Sequence, residues 1–255
     1  MIEVNQLAKR YADFQAVSGI TFSAKQGEIV GFLGPNGAGK TTTIRMLSTY
    51  LPPSSGSAKV AGFDILTQGD EVRKSIGYLP ENPPLYTEMT VAEYLTFVAK
   101  IKGVPARKVK EAVDRSLERC FLTNVREKLC QHLSRGYRQR VGIGQAIIHD
   151  PKVIILDEPT SGLDPKQIIE IRQLIGSLGK DHTVLLSTHI LAEVSMVCTK
   201  VVIINQGKIV LENQLTDLPE GKTLEQIFLE AVSSETDAVD FNAVDSNAVL
   251  AVGGN

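Results

Sequence analysis

"GEIVGFLGPNGAGKTTTIRMLSTYL", residues 27–51, holds the two elements and the turn that decide the fold. Its first eight residues are a short apolar run with Ile29 and Val30 that ends in glycine, the pattern of a buried strand. From Lys40 onward the apolar residues recur at helical spacing and stop before Pro52 and Pro53, which predicts a helix over 40–51. Between the two, Gly34, Pro35, Asn36, Gly37, Ala38, Gly39, Lys40 and Thr41 fit the pattern G-x-x-x-x-G-K-[ST]. Glycines let the backbone curl until its N–H groups converge on phosphate oxygens, and the helix N-terminus directs its positive end at them. Lys40 can neutralise β- and γ-phosphate charge, and the Thr41 hydroxyl can ligate Mg²⁺. A glycine-rich turn with a chance lysine is the bland alternative, and the flanking strand and helix argue against it.

Two further apolar runs, "KVIILDE" at 152–158 and "HTVLLSTH" at 182–189, read as strands. Runs this continuous suggest a parallel sheet buried on both faces. Between them, "DPKQIIEIRQLIGSLG" opens with Asp164 as N-cap and Pro165 at the first helical position, completing a strand–helix–strand unit. "KVVIINQGKIVLE" at 200–212 reads as a hairpin turning at Gln206–Gly207. Residues 84–149 lack a strand signal. Thr90 and Glu93 form a capping box for a helix through about Lys102, and Pro105 opens another with Val109, Ala112, Val113 and Leu117 on one face. The expectation is an α/β chain with a mostly parallel sheet and a helical lobe inserted at about 84–149.

The strand ends carry chemistry. Asp157, at the carboxyl edge where α/β sheets bind ligands, can hold a Mg²⁺ shell. Glu158 is a candidate general base for water attacking a γ-phosphate, or else a cap of the "PTSGLD" turn. His189 follows another strand on the same edge and is a candidate γ-phosphate contact, against the plainer reading of a structural histidine.

Composition narrows the class. The chain has 255 residues, 43% of them hydrophobic and 22% charged, as in ordinary globular proteins. No apolar run approaches the roughly 18 residues of a membrane span. The N-terminus lacks the basic-then-apolar pattern of a secretory signal, so a cytosolic location is expected. Cys120, Cys130 and Cys198 lack metal-ligand spacing and read as reduced structural thiols. Net charge is −2, which argues against a nucleic-acid surface. No Lys or Arg follows Lys222, whereas six acids do, so the preceding chain carries +4, suited to a polyanionic small ligand. The end "DAVDFNAVDSNAVLAVGGN" is a five-residue pseudo-repeat. It reads as a disordered acidic tail or as an appendage that orders on a partner, with a single domain over 1–231 and the tail over 232–255.

Five segments in order, "GPNGAGKTT", "LSRGYRQRV" at 133–141, "VIILDEP", "SGLD" at 161–164 and "STH" at 187–189, resemble the nucleotide-binding subunit of an ATP-binding cassette (ABC) transporter. The resemblance covers about residues 2–231, and "IGYLPENPPLY" and "LEQIFLE" look most like cassettes of two-component exporters of the gliding-motility and multidrug kind. It implies a P-loop NTPase core with an N-terminal antiparallel β subdomain and an inserted helical subdomain. It also implies ATP and Mg²⁺ as ligands, with Thr42 beside the phosphates. The Leu-Ser-x-Gly segment would be the signature that contacts the γ-phosphate held by a second cassette, with Ser134 offering a hydroxyl and Gly136 a backbone N–H. Read by itself, that segment is a capped helix.

Arg135 and Tyr137 depart from the family's Leu-Ser-Gly-Gly-Gln; Arg135 adds a cation near the phosphates or faces solvent. Glu81 stands where the family has glutamine beside Mg²⁺; a carboxylate can coordinate the ion but cannot donate as an amide does. Tyr11 matches the aromatic that stacks on adenine, or is an exposed strand-edge tyrosine. Asp164 matches the residue that joins the two cassettes, and can also be an N-cap.

The resemblance implies an ATPase, a homodimer of two cassettes, that powers a separate transmembrane permease, an exporter by its subgroup; its place would be peripheral on the cytoplasmic face of the membrane. The rival is a soluble cassette ATPase acting on DNA or ribosomes. Against it, Lys40 and Ser134 are too close in sequence for a long coiled coil, and no second phosphate loop is present. A small-molecule kinase would leave the signature segment unexplained.

Overall fold

The structure, a computed structural model, describes residues 1–218 and 222–233. Its strands are β1 (Ile2–Tyr11), β2 (Phe14–Ala24), β3 (Ile29–Leu33), β4 (Ser55–Val60), β5 (Phe63–Asp64), β6 (Ile76–Leu79), β7 (Val153–Asp157), β8 (Thr183–Thr188), β9 (Lys200–Asn205) and β10 (Lys208–Gln214). Its helices are α1 (Lys40–Leu47), α2 (Gly69–Ser75), α3 (Val91–Ile101), α4 (Val109–Arg119), α5 (Arg135–Ile147), α6 (Pro165–Leu178), α7 (Leu191–Val197) and α8 (Leu224–Ser233). A four-stranded antiparallel sheet has the order β2-β1-β4-β5, and a six-stranded sheet has the order β10-β9-β3-β8-β7-β6. All pairs of the second sheet are parallel except β10 with β9. This is the expected α/β core with an antiparallel N-terminal part and an inserted helical part.

Burial explains the apolar strands. Ile154 and Leu156 of β7 join a core that includes α3, α4, α5 and α6, while Val153 and Ile155 join the core on the opposite face. Side chains alternate across a strand, so a sheet covered on both sides needs an apolar residue at every position. In the inserted part, Glu93 N–H donates to Thr90 Oγ1 at 3.2 Å and Thr90 N–H to Glu93 Oε2 at 2.8 Å, closing the capping box of α3. Val109, Ala112, Val113 and Leu117 are all buried on α4. A short 3-10 turn over Ala106–Lys108 separates Pro105 from that helix, so Pro105 opens the turn and not the helix itself.

The helix expected over 40–51 closes earlier, at Leu47. Thr49 turns left-handed at φ 61, and the amides of Tyr50 and Leu51 both donate back to the Arg45 carbonyl, at 2.9 and 3.1 Å. Those bonds satisfy a helix-end carbonyl and redirect the chain, which helical spacing alone does not reveal. The hairpin turns where expected, with Gln206 and Gly207 at φ 44 and 78, the two positive values a tight hairpin needs. Cys120 and Cys130 are buried and all three cysteines are free. Burial pushes the Cys120 and Cys198 thiols up to about 12, so both stay protonated at neutral pH. Val232 and Ser233 fall at the end of α8; the rest of the acidic tail lies outside the described residues.

Candidate active site

Strand register assembles the site. Leu33 of β3 pairs with Thr188 of β8, and Asp157 of β7 pairs with Ser187 of β8, so three parallel strands end level with one another. Leu79 of β6 pairs with Leu156, adding a fourth carboxyl end. Residues far apart in sequence therefore leave the sheet together: the phosphate loop after β3, Glu81 after β6, Glu158 after β7 and His189 after β8. A cavity of about 370 Å³ opens there. Asn36, Gly37, Gly39, Lys40, Thr41 and Thr42 form its floor, facing Glu81, Glu158, Ser161 and His189, with Phe14 and Ala16 also lining it. Gly39 needs to be glycine: its φ is 104, and an added Cβ would lie 2.7 Å from the Ala16 carbonyl oxygen.

The charged groups inside are wired to one another. Lys40 is buried, and its Nζ donates to the carbonyls of Gly34 at 2.7 Å and Pro35 at 3.1 Å. The same Nζ lies 3.4 Å from Glu158 Oε1, and Glu158 Oε2 lies 2.9 Å from His189 Nδ1. A carboxylate only accepts, so the proton of that bond is on Nδ1. Glu158 has left the strand and adopts φ 48, rare for a residue with a side chain. Thr41 Oγ1 donates to Asp157 Oδ1 at 3.4 Å, which links Asp157 to the cavity wall. Burial raises the Asp157 pKa above the ordinary carboxylate range, and the neighbouring charges of Glu158 and Glu81 raise it further.

The remaining candidates lie elsewhere. Ala38, within the loop, is buried. Ser134 caps α5, accepting from Tyr137 N–H at 3.4 Å; the Gly136 backbone is packed against Gln167 of α6. Neither belongs to the cavity around Lys40 of the same chain. The Arg135 guanidinium lies against Gly162 of the "SGLD" turn, where a Cβ would stand 2.5 Å from it. Asp164 accepts from Gln167 N–H at 2.9 Å, as an N-cap does. Tyr11 is outside the cavity lining, with Lys9 Nζ 5.3 Å from its ring centre. The aromatic on the wall is Phe14, directly across the hairpin from Tyr11. Phe14 and Ser161 escaped the sequence reading, although Phe14 is an exposed phenylalanine three residues from Tyr11, and Ser161 opens "SGLD".

Comparison with known proteins gives this cavity a family. The sequence profile described as ABC transporter matches residues 17–161. The chain belongs to the ABC transporter family. It is therefore an ATPase that binds and hydrolyses ATP. Among ABC relatives, the "uncharacterized ABC transporter ATP-binding protein YxlF" of Bacillus subtilis is 40% identical over 220 residues, covering 86% of this chain and 73% of that one. The "bacitracin transport ATP-binding protein BcrA" of Bacillus licheniformis is 42% identical over 214 residues, covering 83% and 69%. A solved structure of an ATP binding subunit of an ABC transporter superposes with a TM-score of 0.82 at 30% identity, covering 91% of this chain and 99% of that one. A dimeric cassette, MJ0796 bound to ADP and Pi, shares the ABC fold with a TM-score of 0.76 at 23% identity, covering 84% and 99%. Among the described residues, no helix is long and apolar enough to cross a membrane.

Proposed function

We propose that the chain is the ATP-hydrolysing nucleotide-binding subunit of an exporter, working as a homodimer on the cytoplasmic face of the membrane and driving a separate transmembrane permease. The observation that carries the reading is the meeting of Lys40, Thr41, Glu158 and His189 around one cavity at the ends of parallel strands. Lys40 and the loop amides from Gly37 to Thr42 bind the β- and γ-phosphates, which take over the bonds that Lys40 makes to the Gly34 and Pro35 carbonyls. Glu158 accepts a proton from the attacking water, and His189 orients Glu158 and meets the γ-phosphate. Phe14 and Tyr11, paired across one hairpin, offer aromatic faces for adenine.

The residues fit Mg²⁺. Thr41, Asp157 and Glu81 supply only hard oxygen donors, and they are few, which suits an ion that keeps waters and nucleotide phosphates in its shell. These three would hold it, and it would neutralise phosphate charge. Ser134 and Gly136 contact the ATP of the second chain, and Asp164 lies at the junction; that none of the three lines the Lys40 cavity of its own chain supports this reading.

Purification of the tagged chain from detergent-solubilised membranes tests the proposal. The expected result is a polytopic membrane protein at stoichiometric yield, and ATP-dependent accumulation of its cargo in inverted vesicles. Recovery of ribosomes or DNA without a membrane protein would favour the soluble alternative, and cargo efflux from inverted vesicles would reverse the direction.

A further inference from the structure

Glu193, in the first turn of α7, is buried at 1% relative exposure and lies outside the cavity lining. Both of its oxygens are engaged. Oε1 accepts from the Thr160 hydroxyl, and Oε2 accepts from the Thr188 hydroxyl at 2.7 Å. Arg172 of α6 brings its Nη2 within 3.7 Å of Oε1 and balances the charge. The two threonines are not arbitrary partners: Thr160 is two residues after Glu158, and Thr188 immediately precedes His189.

Each bond fixes a turn that carries a reacting group. The Thr188 hydroxyl also accepts from Ile190 N–H at 3.0 Å, so the backbone is tied on both sides of His189. On the other turn, Glu158 holds its left-handed φ of 48, a conformation that persists only when the surroundings over-determine it. Glu158 N–H bonds to the Ser187 carbonyl at 3.1 Å on one side, and Thr160 is fastened to α7 on the other. Packing alone does not call for this arrangement. An apolar residue would fill the site without the cost of desolvating a carboxylate.

We infer that Glu193 is a positioning residue for hydrolysis, which holds the Glu158 turn and the His189 turn together so that their side chains meet. The inference rests on the roles proposed above for Glu158 and His189. Glu193→Gln keeps the volume but offers one acceptor oxygen where two hydroxyls donate. The amide NH2 then faces one of the two threonines, whose hydroxyl must reverse its bond and accept.

The test is steady-state phosphate release by the full chain at saturating Mg-ATP, with ATP affinity and thermal stability measured alongside. Glu193→Gln is expected to lower kcat by roughly tenfold to a hundredfold, as small misplacements of reacting groups do. ATP affinity should change by less than about twofold. Thr160→Val and Thr188→Val, which lose one hydroxyl each, should give the same split and serve if Glu193→Gln folds poorly. In a His189→Ala background Glu193→Gln should cost under about threefold more, because groups that act as a unit are not additive. A packing role would instead lower stability and reduce the residual rate by the same factor as in the parent. Parental kcat for Glu193→Gln, Thr160→Val and Thr188→Val, while Glu158→Gln and His189→Ala are inactive, would overturn the inference. Parental rates in Glu158→Gln and His189→Ala would overturn the underlying roles.

Discussion

His189 Nδ1 lies 2.9 Å from Glu158 Oε2, across the gap between the ends of two adjacent parallel strands. The other carboxylate oxygen faces the Lys40 ammonium at 3.4 Å, so the candidate base stands between an imidazole N–H that donates to it and a cation. A base held this way is aimed before substrate arrives.

Glu158→Gln removes the charge and the basicity while keeping the shape. Its amide oxygen can still accept from His189, so the cavity keeps its form. We expect ATP affinity within a few-fold of the parent and hydrolysis reduced by roughly 10²- to 10⁴-fold, the usual share of general base catalysis. An ATP-bound dimer should then accumulate, visible by light scattering after gel filtration. Hydrolysis at the parental rate would show that the base lies elsewhere.

Lys40→Ala acts at binding. The phosphates lose their principal cation, worth about 1.5–3 kcal/mol for a charged hydrogen bond, or roughly tenfold to 150-fold in affinity. The Gly34 and Pro35 carbonyls lose a donor, and Glu158 loses its closest cation, so some stability is lost as well. Titration calorimetry with ATP checks this, and an unchanged dissociation constant would contradict it.

The phosphate loop was legible because its information is local: strand, glycines, lysine and helix are consecutive in residues 29–47. The βαβ unit and the hairpin at Gln206–Gly207 were legible for the same reason. What escaped depends on contacts between distant segments. The end of α1 is set by amides folding back on Arg45, not by apolar spacing. Phe14 is an ordinary aromatic near a polar turn until the hairpin brings it to the cavity. Glu193 in "HILAEVSMV" reads as a surface helix acid. Only the docking of α7 against two strand-end turns buries it, and pattern reading assigns no charge to such a position.

His149 provides a pH test of the packing between the inserted helices and the sheet. Its Nε2–H donates to the Ile76 carbonyl at 3.0 Å, and buried Nδ1 has no partner. Burial pushes its pKa from 6.5 down to about 4, with the charge of Lys102 adding to the effect. The unfolded chain then takes up a proton near pH 6.5 and the folded chain only near pH 4. The associated stability is complete above 6.5 and is lost as pH falls towards 4, by up to about 3 kcal/mol. Urea unfolding at pH 7 and pH 4.5 should show a larger drop for the parent than for His149→Gln. Equal drops would exclude His149 as the titrating group.

The placement of Ser134 away from its own Lys40 cavity leads to a test between chains. If the α5 N-terminus completes the site of a second chain, damage to it is complementable in trans. Gly136→Asp is the less selective probe, because its Cβ would also displace the end of the Gln167 side chain, 2.5 Å away. Ser134→Asp is better: aspartate is also a good N-cap, so α5 should survive, and its carboxylate repels the γ-phosphate. Each homodimer of Lys40→Ala or Ser134→Asp has two damaged sites. In a mixed dimer, the Ser134→Asp chain's phosphate loop meets the intact α5 of the Lys40→Ala chain, restoring one whole site and leaving both lesions in the other. The expected outcome is about one nucleotide trapped per mixed dimer, scored by trapping because turnover can require both sites. If Ser134 acted within its own chain, no site in the mixture would be whole. Mixed dimers that form and trap no nucleotide would therefore refute a shared site.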